Sequence, residues 1–372
     1  DSFEKQLTNL GIRVFRHYPI ADYPANVPLI VSDEGFGKND YIETERSLVV
    51  VTAPGPGSGK MATCLSQLYH EHGRGTKAGY AKFETFPIWN LPLKHPVNLA
   101  YEAATADLED INMIDPFHLD AYGDTAVNYN RDIEIFPVLS AIFRQVYGES
   151  PYKSPTDMGV NMAGYCITDD EVVVDASRQE IICRYYDTCC AQRQGLAQAQ
   201  EVFKLEMLMN QLKISPRGGR PVVEAATGRA QQTGEPAVAI QLTDGRMVRG
   251  RTTELLGASA AALLNALKAL AGIHDGIDLI SPVVIEPIQR LKVRHMGNMN
   301  PRLHTDEILI ALSICAATNP TAEIALKQLS GLKGCEAHSS VILSRVDEKV
   351  FQNLGVRITC EPRYQTKKLY HN

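Results

Sequence analysis

Short apolar runs alternate with amphipathic stretches along the first 150 residues. Residues 29–31 and 48–51 are continuous apolar runs that end in turn residues, which is typical of strands buried on both faces of a parallel sheet. Helical periodicity follows at residues 61–70, and residues 79–86 predict another strand. Alternation of this kind predicts βαβ units, so we expect an α/β fold with a mainly parallel sheet.

The pattern changes twice further along the chain. Residues 96–148 and 178–212 are mainly helical, and the Gly- and Pro-rich residues 215–221 interrupt both kinds of regular structure. Beyond them, Asp244-Gly245 lies between two apolar runs and predicts a hairpin. The C-terminal pattern predicts a helix at 258–271, a strand at 339–343, a helix at 347–354 and a strand at 356–360. We therefore predict three domains, at residues 1–95, 96–214 and 220–372.

A glycine-rich loop at residues 54–60 follows the predicted strand 48–51 and opens the predicted helix 61–70. Such a strand–loop–helix directs several backbone N–H groups and the positive end of the helix dipole at one point, which suits a phosphate group. Glycines let the backbone approach the ligand closely. The predicted phosphate-binding residues are Gly55, Gly57, Ser58, Gly59 and Lys60.

The loop is a variant of the Walker A motif. Gly59-Lys60 fits that motif, but Pro54 stands where its first glycine belongs, and Met61 replaces the hydroxyl residue that coordinates Mg²⁺. The dinucleotide fingerprint fits less well, because Lys60 occupies the position of its third glycine. We predict phosphate or nucleotide binding here, with a plain structural turn as the alternative.

Two other segments carry polar groups that suit a binding site. Asp33 and Glu34 follow the predicted strand 29–31 and are candidate metal ligands or acid/base groups, or else part of a solvated turn. Residues 153–161 combine a cation, hydroxyls, a carboxylate and an amide in an irregular segment, which is either a substrate loop or a plain connection. Its candidate residues are Lys153, Ser154, Thr156, Asp157 and Asn161.

Three further groups of polar or sulfur-containing residues are expected to have structural roles. Arg217 and Arg220 are either a phosphate clamp or, preferably, part of a solvated linker. Cys335 and His338 would point to opposite faces of a strand, so we expect no zinc site there. The pair Cys189-Cys190 lies in a helical stretch and is expected to fill core or surface positions.

Composition limits the class of protein. The chain has 372 residues, of which 44% are hydrophobic and 22% are charged, and a formal net charge of -6. This balance does not favour nucleic acid as a partner. No run of about 20 apolar residues predicts a membrane helix, and the eight scattered cysteines include no Cys-x-x-Cys pair. We therefore predict a cytoplasmic protein with reduced thiols.

Several long runs resemble a conserved bacterial protein family of unknown function. They are residues 54–63, 79–108, 153–164, 335–343 and 360–370, and the resemblance extends over essentially the whole chain. It implies that the N-terminal portion of a longer protein is absent, in keeping with the lack of an initial Met. It also implies several subdomains with a three-layer α/β unit at the C-terminus. It further implies that Met61 belongs to the sequence pattern of the family. It supplies no activity.

The functional prediction is binding of a nucleotide or phosphorylated metabolite, with phosphoryl or nucleotidyl transfer as the enzymatic extension. ATP or GTP with Mg²⁺ is the predicted cofactor, and the chain is a candidate homo-oligomer. The alternatives are a sensing module without chemistry, and a structural oligomer with a vestigial loop.

Overall fold

A computed structural model describes residues 2–55 and 57–365 of the chain. Helices dominate, and the described strands form one four-stranded sheet and two sheets of two strands each. The prediction of an α/β protein is therefore confirmed at this level. The chain divides into two compact units. The first contains the residues up to Glu102 together with Glu109–Asp170, and the second contains Ala103–Leu108 and the chain from Glu171 onward.

The first unit is built from short strands and helices around α6. Its strands pair as β1 with β4, in parallel, and as β2 with β3, antiparallel. A hydrophobic cluster joins α2, α3 and α6 through residues such as Ile30, Leu65 and Phe143. The elements are α1 Ser2–Asn9, α2 Val27–Ile30, α3 Lys60–Gly73, β1 Lys82–Phe83, α4 Pro96–Ala104, β2 Asn112–Ile114, α5 Pro116–Tyr122, β3 Val127–Tyr129, α6 Asn130–Tyr147 and β4 Gly159–Val160.

The mainly parallel sheet predicted around the glycine-rich loop is not found in the described residues. Residues 29–31 belong largely to the short helix α2, because Asn26 caps its first turn and Pro28 lies at its start. Residues 48–51 form no strand, and Leu48 is 80% exposed. Within 79–86 only Lys82–Phe83 is a strand. Apolar runs without a pairing partner do not become strands, and periodicity cannot report the partner.

The second unit has one mixed sheet and most of the long helices. The strand order is β6-β5-β7-β8, in which β5 is antiparallel to β6 and to β7, and β7 is parallel to β8. The elements are α7 Asp170–Arg193, α8 Ala199–Leu212, α9 Pro221–Thr233, β5 Ala237–Gln241, β6 Met247–Arg251, α10 Ala258–Ala271, α11 Pro282–Arg294, α12 Thr305–Ala316, α13 Pro320–Leu326, β7 Glu336–Ser339, α14 Arg345–Asn353 and β8 Arg357–Cys360.

The two faces of this sheet are covered by different helices. Ala337 belongs to the large core that α10, α12 and α13 complete. The next residue, His338, points to the other face, where its ring meets the edge of Tyr186 on α7. On the first side α10 comes very close to β6, because a Cβ at Gly250 would lie 2.1 Å from the amide nitrogen of Ala262. The sheet is thus buried on both sides.

The predicted hairpin is confirmed. β5 and β6 pair from Ala237↔Arg251 to Gln241↔Met247, and Gly245 adopts a φ of 86° in the turn. Near the C-terminus the predicted helix and last strand are present as α14 and β8. The strand before them lies earlier than predicted, at Glu336–Ser339, so that residues 340–344 form a loop.

The prediction of a solvated linker at residues 215–221 fails at Arg220, while Ser215, Arg217 and Gly218 are exposed. Arg220 is 1% exposed, forms an ion pair with Glu336, and donates from Nη2 to the backbone oxygens of Ala337 and Arg357. Gly219 lies against Ile182, where a Cβ would meet the Ile182 side chain at 2.6 Å. Arg220 is therefore packed inside the second unit, and neither the clamp nor the linker interpretation of this residue holds.

Two observations concern the chain as a whole. The eight cysteines, all in the described part, are free thiols. Among the described helices, none has both the length and the apolar character that a bilayer crossing requires. The three-domain division stays a prediction.

Candidate functional site

The strongest candidate site is a cleft at one edge of the four-stranded sheet in the second unit. Since β5 runs against both β6 and β7, and β8 runs with β7, the strands β6, β7 and β8 all end at this edge. The connections after these strands line the cleft. Ligands of α/β sheets characteristically bind outside the carboxyl ends of strands.

The first polar element of the cleft is the N-terminus of α10. Gly257, Ala258 and Ser259 line the cleft, and no side chain caps this 14-residue helix. Its first i to i−4 hydrogen bond is donated by the amide of Ala261 to Gly257. The amides before it point out of the helix, where the dipole adds partial positive charge. The N-termini of the neighbouring helices α12 and α14 do have side-chain partners. Asp347 accepts from the Thr305 amide of α12, and Ser344 caps α14.

Two hydroxyl residues line the cleft together with these amides. Thr252 and Ser259 both line the cleft, and each is only 3% exposed. Neither hydroxyl has a hydrogen-bond partner among the residues that the structure describes. The two hydroxyls are therefore available to a group that enters the cleft.

Arg302 brings a full positive charge to the same place. Its Nε donates to the Thr253 carbonyl at 2.7 Å, which fixes the guanidinium, while its two amino groups have no partner within the described ranges. A bridge between Leu256 and Leu303 ties this segment to the loop before α10. A guanidinium held in this way presents two parallel donors to a carboxylate or phosphate.

A histidine–aspartate pair completes the polar wall. His304 Nδ1 lies 3.0 Å from Asp347 Oδ2, which also accepts from the Ser344 hydroxyl at 2.9 Å. The other carboxylate oxygen accepts from the amide and hydroxyl of Thr305. The hydrogen bond to Asp347 raises the pKa of His304 above its ordinary value. Burial alone would raise the pKa of Asp347, but these hydrogen bonds outweigh it and lower that pKa.

The cleft has a volume of about 170 Å³. Pockets for complete drug-sized ligands usually measure roughly 300–1,000 Å³, so this one suits a small molecule or one group of a larger molecule. The lining also has an apolar side. It includes Pro236, Met299, Val341, Ile342, Leu343 and Tyr364.

The predicted phosphate loop in the first unit has a different character. Gly57 and Gly59 adopt φ values of 69° and 86°, as only glycine does readily, and α3 begins at Lys60 without a side-chain cap. Lys60 Nζ folds back to the Gly55 carbonyl at 2.8 Å and to Ser58 Oγ at 3.3 Å. The loop and its glycines are as predicted, but the strand expected before them is absent and the lysine donates within the loop.

The predicted metal ligands beside this loop have partners of their own. Asp33 Oδ1 accepts from the Tyr69 hydroxyl at 2.9 Å, and Glu34 forms an exposed ion pair with Lys38. Within the described residues, no group of three His, Cys, Asp or Glu side chains is placed to hold a metal ion. The metal role of Asp33 and Glu34 stays a prediction.

The polar side chains of the predicted substrate loop form hydrogen bonds that hold the loop in place. Ser154 is fully buried and lies 3.0 Å from His118 Nδ1, and the Thr156 hydroxyl donates to Asp115 at 2.6 Å. Asp157 accepts from the Lys153 amide. Asn161 donates to the Pro87 carbonyl at 2.6 Å. These bonds support the connection interpretation, and the substrate role stays a prediction.

Cys335 lies just before β7, and His338 lies within it. Cys335 is buried, and His338 Nδ1 is 2.8 Å from the Thr359 hydroxyl. The expectation of no zinc at these residues stays a prediction.

The sequence interpretation did not identify the cleft, because its polar residues come from four separate segments. One signal was present: Ser344-x-x-Asp347 is a helix-start pattern, and it places Asp347 in the first turn of α14. Nothing local links it to Thr252, Ser259, Arg302 or His304. Their proximity results from the strand order.

Comparison with known proteins identifies close relatives over the whole chain. Two family models match, described as "Domain of unknown function DUF1846", N-terminal, at residues 1–213 and C-terminal at residues 218–370. A UPF0371 protein of Corynebacterium urealyticum is 58% identical over 369 residues, which cover 99% of this chain and 74% of the relative. A UPF0371 protein of Streptococcus thermophilus is 58% identical over 370 residues, covering 100% of this chain and 75% of the relative. The resemblance to a conserved bacterial family is thereby confirmed, and the chain belongs to the DUF1846 family.

Proposed function

We propose that this protein binds a small phosphorylated molecule, and that the phosphate group occupies the cleft at the N-terminus of α10. The observation that carries the proposal is the uncapped helix end together with the hydroxyls of Thr252 and Ser259, which line the same cleft and have no side-chain hydrogen bond among the described residues. Helix amides, hydroxyls and the free amino groups of Arg302 together make an array of donors. A tetrahedral oxyanion accepts from such an array in several directions at once.

Charge supports an anion over a neutral ligand. Arg302 and the helix end are positive, and the single carboxylate on the cleft wall, Asp347, already accepts from His304, Ser344 and Thr305. The size of the cleft supports a phosphorylated metabolite over a nucleotide enclosed as a whole.

The test is calorimetric titration of the full chain with inorganic phosphate and with phenyl phosphate. Arg302→Gln removes charge-assisted hydrogen bonds worth about 1.5–3 kcal/mol, so the affinity should fall roughly ten- to hundredfold. Ser259→Ala should reduce it severalfold, since a neutral hydrogen bond contributes about 1 kcal/mol. Arg290→Gln on the exposed part of α11 and Ser313→Ala on α12 are the matched controls. Wild type that binds neither anion, or variants that bind as tightly as wild type, would reject the proposal.

The glycine-rich loop is a second candidate phosphate site, for ATP or GTP with Mg²⁺ or for a phosphorylated metabolite. The uncapped N-terminus of α3 and the positive φ angles of Gly57 and Gly59 favour it. Lys60→Ala should lower affinity for ATP or GTP about ten- to hundredfold, because Lys60 supplies the full positive charge within residues 54–60. Lys77→Ala, at an exposed position beyond α3, is the control. Equal binding by wild type and Lys60→Ala would leave the loop as a structural turn.

A further inference from the structure

The histidine on the cleft wall is held by its side chain and by its backbone. His304 Nδ1 faces Asp347 Oδ2 at 3.0 Å, and because an ionised carboxylate only accepts, Nδ1 carries the proton in this bond. The side chain also belongs to the capping box at the start of α12, where it faces the backbone amide of Glu307. The backbone is held as well, since the His304 amide donates to Glu307 Oε2 at 2.8 Å. The imidazole is therefore oriented, and His304 lines the cleft.

The charges around the ring favour its protonated form. Asp347 on α14 and Glu307 on α12 favour the imidazolium, while Lys292 on α11 and the partial burial of the ring oppose it. The balance raises the pKa of His304. Near neutral pH the ring can then donate a proton from Nε2 and return to the charged form afterwards.

We infer that the cleft hydrolyses small phosphate monoesters, with His304 Nε2 as the general acid that protonates the departing alkoxide. The inference rests on the proposed phosphate binding in this cleft. It goes beyond binding because a site that only held phosphate would not require an oriented proton donor beside the helix end.

The step balances with water as the co-reactant. The water oxygen forms a new bond to phosphorus while the bond between phosphorus and the ester oxygen breaks. The electron pair of that bond goes to the ester oxygen, which takes the proton from His304 Nε2 and leaves as the alcohol. Little deprotonation of the water is needed in a loose transition state, and its proton afterwards restores the imidazolium. No oxidant or reductant is involved.

The other groups divide into two roles. Arg302, the α10 amides and Ser259 face the space where the phosphoryl oxygens lie, and they stabilise the charge that develops there. Asp347 is a positioning residue, because it sets the tautomer and orientation of His304 and is itself fixed by Ser344 and Thr305. The apolar side of the cleft leaves room for a small organic group, so we expect substrates with a compact leaving alcohol.

The experiment compares esters whose leaving groups differ in basicity. Phosphate release is measured from 4-nitrophenyl phosphate, phenyl phosphate and glycerol 3-phosphate. General acid catalysis contributes roughly 10²–10⁴-fold, mostly for basic leaving groups. His304→Gln should therefore reduce kcat for glycerol 3-phosphate at least a hundredfold and for 4-nitrophenyl phosphate much less. Its affinity for inorganic phosphate should stay within a few-fold of wild type, and His295→Gln, at an exposed position, should behave as wild type.

Two further measurements keep the result clear if His304→Gln folds poorly. In wild type, kcat for phenyl phosphate should fall as pH rises through the raised pKa of His304. Asp347→Asn should move that fall to lower pH, which a purely structural role would not do. Phosphate binding without release from any of the three esters would overturn the inference and leave the proposed function standing. No binding of phosphate at all would reject the proposed function itself.

Discussion

Arg220 illustrates how one buried side chain organises the second unit. Its guanidinium contacts three strand residues of β7 and β8 by hydrogen bonds and pairs with Glu336, while only 1% of the residue is exposed. Arg220→Met keeps much of the volume but leaves backbone and hydroxyl acceptors unpaired. We expect a loss of about 2–4 kcal/mol in the free energy of unfolding, measured by urea denaturation.

Arg220→Lys should recover only part of that loss, because an ammonium cannot reproduce the planar fork of donors. Arg290→Met on the exposed side of α11 is the control and should change stability by less than about 0.5 kcal/mol. Unchanged stability in Arg220→Met would mean that this network does not support the sheet.

His338 makes stability depend on pH. Its ring is fully buried between Thr359 and Tyr186, and this burial lowers its pKa although Glu361 lies 3.7 Å away. The unfolded chain, with a histidine pKa of about 6.5, binds the proton more readily than the folded chain. Stability should therefore fall as pH drops below about 6.5, and the decline should cease below the folded pKa.

The check is urea denaturation of wild type and His338→Gln between pH 5 and 8. The variant should lose less stability than wild type toward pH 5. His304 contributes with the opposite sign, since its raised pKa stabilises the protein at low pH and this contribution disappears as pH rises through that pKa. The difference between wild type and His338→Gln isolates His338, and parallel curves for the two proteins would contradict the assignment.

At the scale of elements, the contact between α10 and β6 determines where the cleft amides lie. A Cβ at Gly250 would be 2.1 Å from the Ala262 nitrogen and 2.6 Å from its Cα, so any side chain must displace the helix. Gly250→Ala should cost about 1–3 kcal/mol of stability through overpacking. It should also weaken phosphate binding, because the amides of Ala258 and Ser259 move with α10.

The matched control is Gly228→Ala inside α9, where a Cβ has open space. There alanine should stabilise the protein by about 0.5–1 kcal/mol through helix propensity and leave phosphate binding unchanged. Denaturation and calorimetry on both variants test the argument. Equal effects of the two substitutions would show that the close approach of α10 to β6 is not required.

At the scale of the whole molecule, the two phosphate proposals lie in different compact units and can be separated in one experiment. Hydrogen exchange of the full chain with and without inorganic phosphate should show slower exchange at residues 257–262 and 302–306, where the cleft donors lie. Slower exchange at residues 57–63 would add the glycine-rich loop as a second site. Unchanged exchange in both regions at saturating phosphate would reject both proposals.

Local patterns predicted much of the second unit. The Asp244-Gly245 turn, the Ala- and Leu-rich α10, and the closing helix and strand all follow from turn chemistry and periodicity within one segment. Gly57 and Gly59 of the loop also adopt the positive φ angles that their residue type permits. These features depend on neighbours in sequence, and the sequence by itself was sufficient for them.

Only the tertiary structure decided the pairing of strands, the burial of Arg220 and the assembly of the cleft. The apolar run 48–51 has strand propensity but no described partner, and Arg220 is buried although it ends a Gly- and Pro-rich segment that resembles a linker. Ser259 and Asp347 lie on the helices that follow β6 and β7, which end at the same edge, and the bridge between Leu256 and Leu303 brings Arg302 and His304 to the same cleft. Such proximity depends on contacts between residues far apart in the chain, and no local pattern of hydrophobic and polar positions encodes them.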